Sequence, residues 1–100
     1  MIDVKLKDYL NRDDVSLPDV GRELYGVVES VVGREGEHVR IDMLEVVSLP
    51  SSLLNTFLGD LIKEYGFSIL GKIIFKNITK MQADRLVKYV DDIREVSGYK

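Results

Sequence analysis

The stretch VRIDMLEVVSLPSSLLNTFLGDLIKEYG, residues 39–66, decides how the rest of the chain is read. Val39, Ile41 and Met43 alternate with Arg40 and Asp42, the two-residue period of a half-buried strand. Val46, Val47 and Leu49 lie in the loop that follows or extend that strand. From about Pro50 to Tyr65 the period changes to 3.6. Leu53, Leu54, Phe57, Leu58, Leu61, Ile62 and Tyr65 share one helical face, and Asn55, Thr56, Asp60, Lys63 and Glu64 take the other. Gly66 is placed to end the helix. A strand therefore passes through an apolar loop into an amphipathic helix.

The same alternation recurs on both sides. Upstream, Ile2, Val4 and Leu6 alternate with Asp3, Lys5 and Lys7, which predicts a strand with one polar face. Asn11 to Asp14 reads as a polar turn. Ser16, Leu17, Pro18 and Asp19 open a helix, with serine as cap and Asp19 three residues on. Val20, Leu24, Val27, Val28 and Val31 give its apolar stripe, which Gly21 and Gly26 interrupt. Gly33 and Gly36 bracket its exit. Downstream, Ile69 to Phe75 is apolar and β-branched and predicts a third strand, buried on both faces. Thr79 and Gln82 then form the capping pair of a third helix. Its stripe is expected at Met81, Leu86, Val87, Val90 and Ile93, with fraying after Glu95.

The predicted order is β-α-β-α-β-α, an α/β fold with a small, mainly parallel or mixed sheet of three to four strands and about three helices. Residues 1–100 are expected to form a single domain, since 100 residues can bury one core without staples. On such sheets sites gather at the carboxyl ends of the strands. Here that edge holds Asp42 to Pro50, the start of the second helix, and Lys76 to Lys80.

Composition narrows the function. The chain is 45% hydrophobic and 31% charged, which is globular. It has no cysteine, which excludes disulfides, thiolate metal sites and a cysteine nucleophile. Its 14 basic and 17 acidic residues are interspersed, with a net charge of −3 and no basic stripe, so no nucleic-acid role is expected. No apolar run approaches the roughly 18 residues of a membrane span. The first residues carry charges where a signal peptide needs an apolar core, so a cytoplasmic location is expected. His38 is the single histidine and has no second ligand to share a metal with. The turn Gly33-Arg34-Glu35-Gly36 lacks the spacing and lysine of a phosphate-binding loop. No nucleophile–base pair is legible, and neither catalysis nor a cofactor is expected.

The ordered set of features in residues 16–94 resembles the STAS domains (sulfate transporter and anti-sigma factor antagonist). It is similar above all to a STAS-like family of small bacterial domains. The resemblance rests on Asp42-Met43 at the strand end and on Pro50-Ser51-Ser52-Leu53-Leu54-Asn55-Thr56-Phe57 at the helix start. It also rests on Gly59, on Val20-Gly21-Arg22-Glu23-Leu24 upstream, and on Ile74-Phe75-Lys76-Asn77-Ile78 downstream. It implies a non-catalytic regulatory protein-interaction domain of the anti-sigma factor antagonist type, switched by serine phosphorylation. The partner it implies is a histidine-kinase-like ATPase or an anti-sigma factor. Two positions differ from the phosphorylated antagonists: Pro50 precedes the serine pair and Leu53 follows it.

Ser51 and Ser52 are the phosphorylation candidates, and both are also expected to serve as helix caps. Asp42, Ser48, Pro50, Asn55 and Gly59 are the candidate partner-binding residues. Asp42 has a structural alternative as an amide-bonded strand end. Gly59, on the polar side of a helix, implies close approach of a partner or of another element. Lys76 and Lys80 stand where they would neutralise a nearby phosphate, or be solvated. Two other functions stay open: a constitutive structural or assembly module, for example a homodimer, and a small-ligand sensor.

Overall fold

The strand–loop–helix read from residues 39–66 is present in the computed structural model, which describes residues 1–97. Strand β1 spans Ile2–Lys5. The strand expected to continue through Leu6 stops there, because Leu6 turns fully into the core and begins a short helix, α1, Leu6–Leu10. Helix α2 spans Leu17–Glu29 and is capped as its sequence predicts: the Asp19 amide donates to Ser16 Oγ at 3.2 Å. Val20, Leu24 and Val28 are buried, and Val31 is buried just beyond the helix end. Gly33 and Gly36 take φ of 82° and 78° in the following turn, a region open to glycine.

Strand β2 is Val39–Asp42. The helix expected from Pro50 to Tyr65 is a single rod in three segments: α3, Ser51–Leu54; a π turn, Asn55–Gly59; and α4, Asp60–Tyr65. Gly66 ends it with φ of 83°. The third strand departs from expectation. Phe67–Lys72 winds as a 3₁₀ segment that buries Ile69, and only Ile73–Lys76 forms strand β3. β3 is not buried on both faces, since Ile74 is 38% exposed. Helix α5 is Lys80–Ser97. Its capping pair is reciprocal: the Thr79 amide donates to Gln82 Oε1 at 3.0 Å, and the Gln82 amide to Thr79 Oγ1 at 3.1 Å. The fraying expected beyond Glu95 otherwise concerns residues 98–100, which lie outside the described ones; Val96 and Ser97 are helical.

The sheet has the order β1-β2-β3 and both pairings are parallel, with Ile2 opposite Val39 and Val39 opposite Ile73. Consecutive strands laid down in one direction by right-handed crossovers put every crossover helix on the same face. The burial pattern agrees. Val4, Val39, Ile41 and Ile73 are buried under the helices, whereas Asp3, Lys5, Ile74 and Lys76 on the opposite face are exposed. That outer face is charged and carries an Asp3–Arg40 ion pair at 2.5 Å.

Helix packing explains two features that sequence left open. A Cβ on Gly21 would lie 1.9 Å from Thr56 Oγ1 and 2.5 Å from the Leu53 carbonyl oxygen. The glycine is therefore what lets α2 lie against the π turn. Thr56 Oγ1 donates across this contact to the Pro18 carbonyl at 2.8 Å and lies near the Ser52 and Leu53 carbonyls at 3.4 and 3.3 Å. A hydroxyl competing for helix carbonyls loosens the ladder there.

Helix α5 keeps Leu86, Val90 and Ile93 of the expected stripe toward the core, but not Met81 or Val87. Gln82, Leu86 and Tyr89 are buried, while Met81 is 84% and Val87 61% exposed. Ile93 continues the inward face as a half-buried residue.

Candidate functional site

At the carboxyl end of β2, Asp42 joins two loops through one oxygen. Its Oδ1 accepts from Asn77 Nδ2 at 2.9 Å and from the Leu44 amide at 3.0 Å. The Asn77 amide, then the Leu44 amide, hold this carboxyl below its ordinary range. Glu45 (φ 65°) and Asn77 (φ 57°) are the two non-glycine residues with positive φ among those described, and both lie in these loops. Such backbone costs energy, more for glutamate than for asparagine, and persists where neighbours impose it. Lys7 pairs with Glu45 at 2.6 Å and helps to hold it.

The loop after β2 winds with a period of three. Met43, Val46 and Leu49 point into the core. The Val46 carbonyl accepts from the buried Gln82 Nε2 at 2.6 Å, which ties the loop to α5. Between these anchors the loop turns apolar groups outward: Leu44 is 54% exposed and Val47 93%. Met81, at the start of α5, faces Val47 across a groove of about 440 Å³ lined also by Ser48, Leu49, Pro50, Gln82 and Arg85. Ser48 is exposed and Pro50 half-buried.

The serine pair does not cap. Pro50 is the N-cap residue and no side chain bonds the first-turn amides. Ser51 and Ser52 are the first helical residues, and both are exposed. Ser51 Oγ accepts from Arg85 Nη2 of α5 at 2.8 Å. Arg85, rather than Lys76 or Lys80, is thus the cation at this serine; Lys80 pairs with Asp84 within α5 at 3.1 Å. Sequence offered one signal for Arg85: once the Thr79–Gln82 cap fixes where α5 begins, a residue three positions on lies over the same face.

Asn55 and Gly59 have an internal role. Tyr89 Oη donates to Asn55 Oδ1 at 2.8 Å, and a Cβ on Gly59 would lie 2.7 Å from Tyr89 Oη. The close approach implied by Gly59 is met by α5. Burial raises the Tyr89 hydroxyl above its ordinary pKa. His38 lies at a strand start with Nδ1 3.2 Å from the Gly36 carbonyl. Among the described residues no group of three His, Cys, Asp or Glu is placed to hold a metal. No helix among them is long and apolar enough to cross a membrane.

A three-step parallel βα sheet, with its helices on one face and a pinned, apolar loop at its carboxyl edge, defines the class: a small α/β domain that presents this edge to solvent. The family model described as STAS-like domain of unknown function (DUF4325) matches residues 20–83, and the chain belongs to this family. The match takes in most of α2, β2, the segmented helix, β3 and the start of α5, so the candidate edge lies inside it apart from Lys7, Arg85 and Tyr89. No curated protein and no solved structure matches the chain.

Proposed function

We propose that this chain is a non-catalytic regulatory domain that binds a protein partner on the carboxyl edge of its sheet. The carrying observation is the loop after β2. It is anchored through Met43, Val46 and Leu49 and includes a strained Glu45, yet it holds Leu44 out to solvent and Val47 beside Met81. Contiguous exposed apolar groups of this kind mark interaction sites. Asp42 acts by fixing the loop, Ser48 and Pro50 line the groove, and Asn55 and Gly59 act by seating α5 beside it. The resemblance to antagonists of anti-sigma factors points to a histidine-kinase-like ATPase or an anti-sigma factor as the partner.

Phosphorylation of Ser51 fits the same reading. Its hydroxyl is exposed, uncommitted to capping, and already within reach of a guanidinium. Ser52 is the second candidate.

Photo-crosslinking in the native host tests the docking surface. A crosslinker at Val47 or Met81 should give one discrete protein adduct that a crosslinker at Glu35 does not. Equal adducts from all three positions reject the edge. Intact mass of the chain from that host should show the addition of one phosphate, lost in Ser51→Ala. An unmodified mass, with adducts indifferent to Ser51→Asp, makes the domain a constitutive assembly module instead.

A small-ligand sensor is a second reading. An apolar trough of about 500 Å³ runs between β3 and α5, lined by Leu58, Leu70, Ile73, Phe75, Leu86 and Val90. A thermal-shift screen without a stabilising ligand rejects it.

A further inference from the structure

Arg85 is the cation that lines this groove, and it differs from the ion-paired cations nearby. Lys7 is matched by Glu45, Lys80 by Asp84 and, on the outer sheet face, Arg40 by Asp3. Arg85 is half-buried and forms no ion pair with a described residue; its one bond is to the neutral hydroxyl of Ser51. A guanidinium carries five N–H donors in a planar fork suited to a carboxylate. Most of that fork is unused, and it borders the apolar groove with Val47 and Met81. The other polar side chain of length there, Gln82, is committed at both ends, to the Val46 carbonyl and the Thr79 amide.

We infer that the partner anchors itself with an Asp or Glu carboxylate flanked by apolar side chains. The carboxylate takes the Arg85 fork while its apolar neighbours fill the groove against Val47 and Met81. This rests on the docking reading above and goes further by naming what docks. A carboxylate is favoured over a phosphorylated residue because a dianion calls for a second cation, and the lysines of α5 on either side of Arg85, Lys80 and Lys88, are already paired. The inference also sets the sign of the switch. A phosphate on Ser51 would lie against Arg85, satisfy the guanidinium from within, and withdraw it from the partner.

The test uses the whole chain and unphosphorylated peptides selected from a random displayed library. Enriched peptides are synthesised and titrated by fluorescence anisotropy. They should share an acidic residue beside two or more apolar ones. Their binding should be lost in the Val47→Ser, Met81→Ser double variant. It should fall about tenfold or more in Arg85→Met and in Ser51→Asp, the size expected for one charged hydrogen bond. Changing the peptide's acid to its amide should abolish the sensitivity to Arg85→Met. Circular dichroism melts confirm that each variant is folded, with Arg85→Gln as the second substitution. Peptides that need Val47 and Met81 but bind Arg85→Met unchanged overturn the inference and leave the docking reading standing. The same holds for peptides that lack a carboxylate or gain affinity when phosphoserine replaces it. A selection that yields no peptide dependent on Val47 or Met81 overturns both.

Discussion

Gly21 and Gly59 are small for different reasons, and substitution separates them. At Gly21 a methyl group would meet a backbone carbonyl as well as Thr56 Oγ1. Backbone does not swing aside, so Gly21→Ala should lower unfolding free energy by about 1–3 kcal/mol in urea titrations. At Gly59 the obstacle is the far end of Tyr89. Gly59→Ala should destabilise the parent, but much less in a Tyr89→Phe background, where alanine's helix propensity is worth up to about 1 kcal/mol. Equal costs in both backgrounds would place the strain elsewhere. Gly21 reads in a linear sequence only as a weak point of a helix, and Gly59 as a close approach whose partner is not named. Their partners are some 30 residues away, and only the packed fold brings them into reach. Asp42 was legible as a strand end at the functional edge, but its hold on Asn77 depends on β3 lying beside β2.

Helix boundaries were legible wherever a local capping signal set them, as at Ser16 and at Thr79–Gln82. The elements that differed lack such signals. α1 exists because Leu6 is drawn into the core, the π turn because Thr56 bonds across to α2, and the 3₁₀ segment because Ile69 reaches the core before the strand begins. Met81 and Val87 were misplaced on the inward face of α5 because two polar-tipped residues, Gln82 and Tyr89, take it instead, their burial compensated by bonds to Val46 and Asn55. The inward face at 82, 86, 89 and 93 predicts a clear contrast. Leu86→Ala should cost about 2–4 kcal/mol by denaturant titration, whereas Val87→Ser, one residue on, should stay within about 0.5 kcal/mol. Comparable costs at the two positions would restore the stripe expected from sequence, which held both.

For the molecule as a whole, the acidic groups with resolved shifts all move one way. Asp3, Asp19, Glu37, Asp42 and Glu45 are held below their ordinary values by hydrogen bonds and nearby cations. A carboxyl depressed in the folded state binds protons more readily when unfolded. Its stabilisation is therefore present above the unfolded value, near pH 4, and is lost as pH falls through the folded one. At the alkaline end Tyr25, Tyr65 and Tyr89 are raised, Tyr65 by its bond to the Glu29 carboxylate, so their contribution holds below about pH 10 and is lost above it. Melting temperature should be flat between these limits and fall on both sides. Asp42→Asn should lower it on the plateau, and the gap from the parent should close as the medium is acidified. A constant gap down to the acid limit would mean that Asp42 matters for shape and not for charge.

The sheet itself stops without being closed. β1, β2 and β3 are laid side by side in chain order, each step returning over the same face, and β3 has no neighbour among the described residues on its far side. A structure assembled this way is a staircase. Its treads are added at one end, and a further strand–helix unit placed beside β3 would rest on the trough below α5 without disturbing the steps already built. For protein engineering, that side is the place to extend the domain, because the Asp42 loop and its groove depend on the steps already in place.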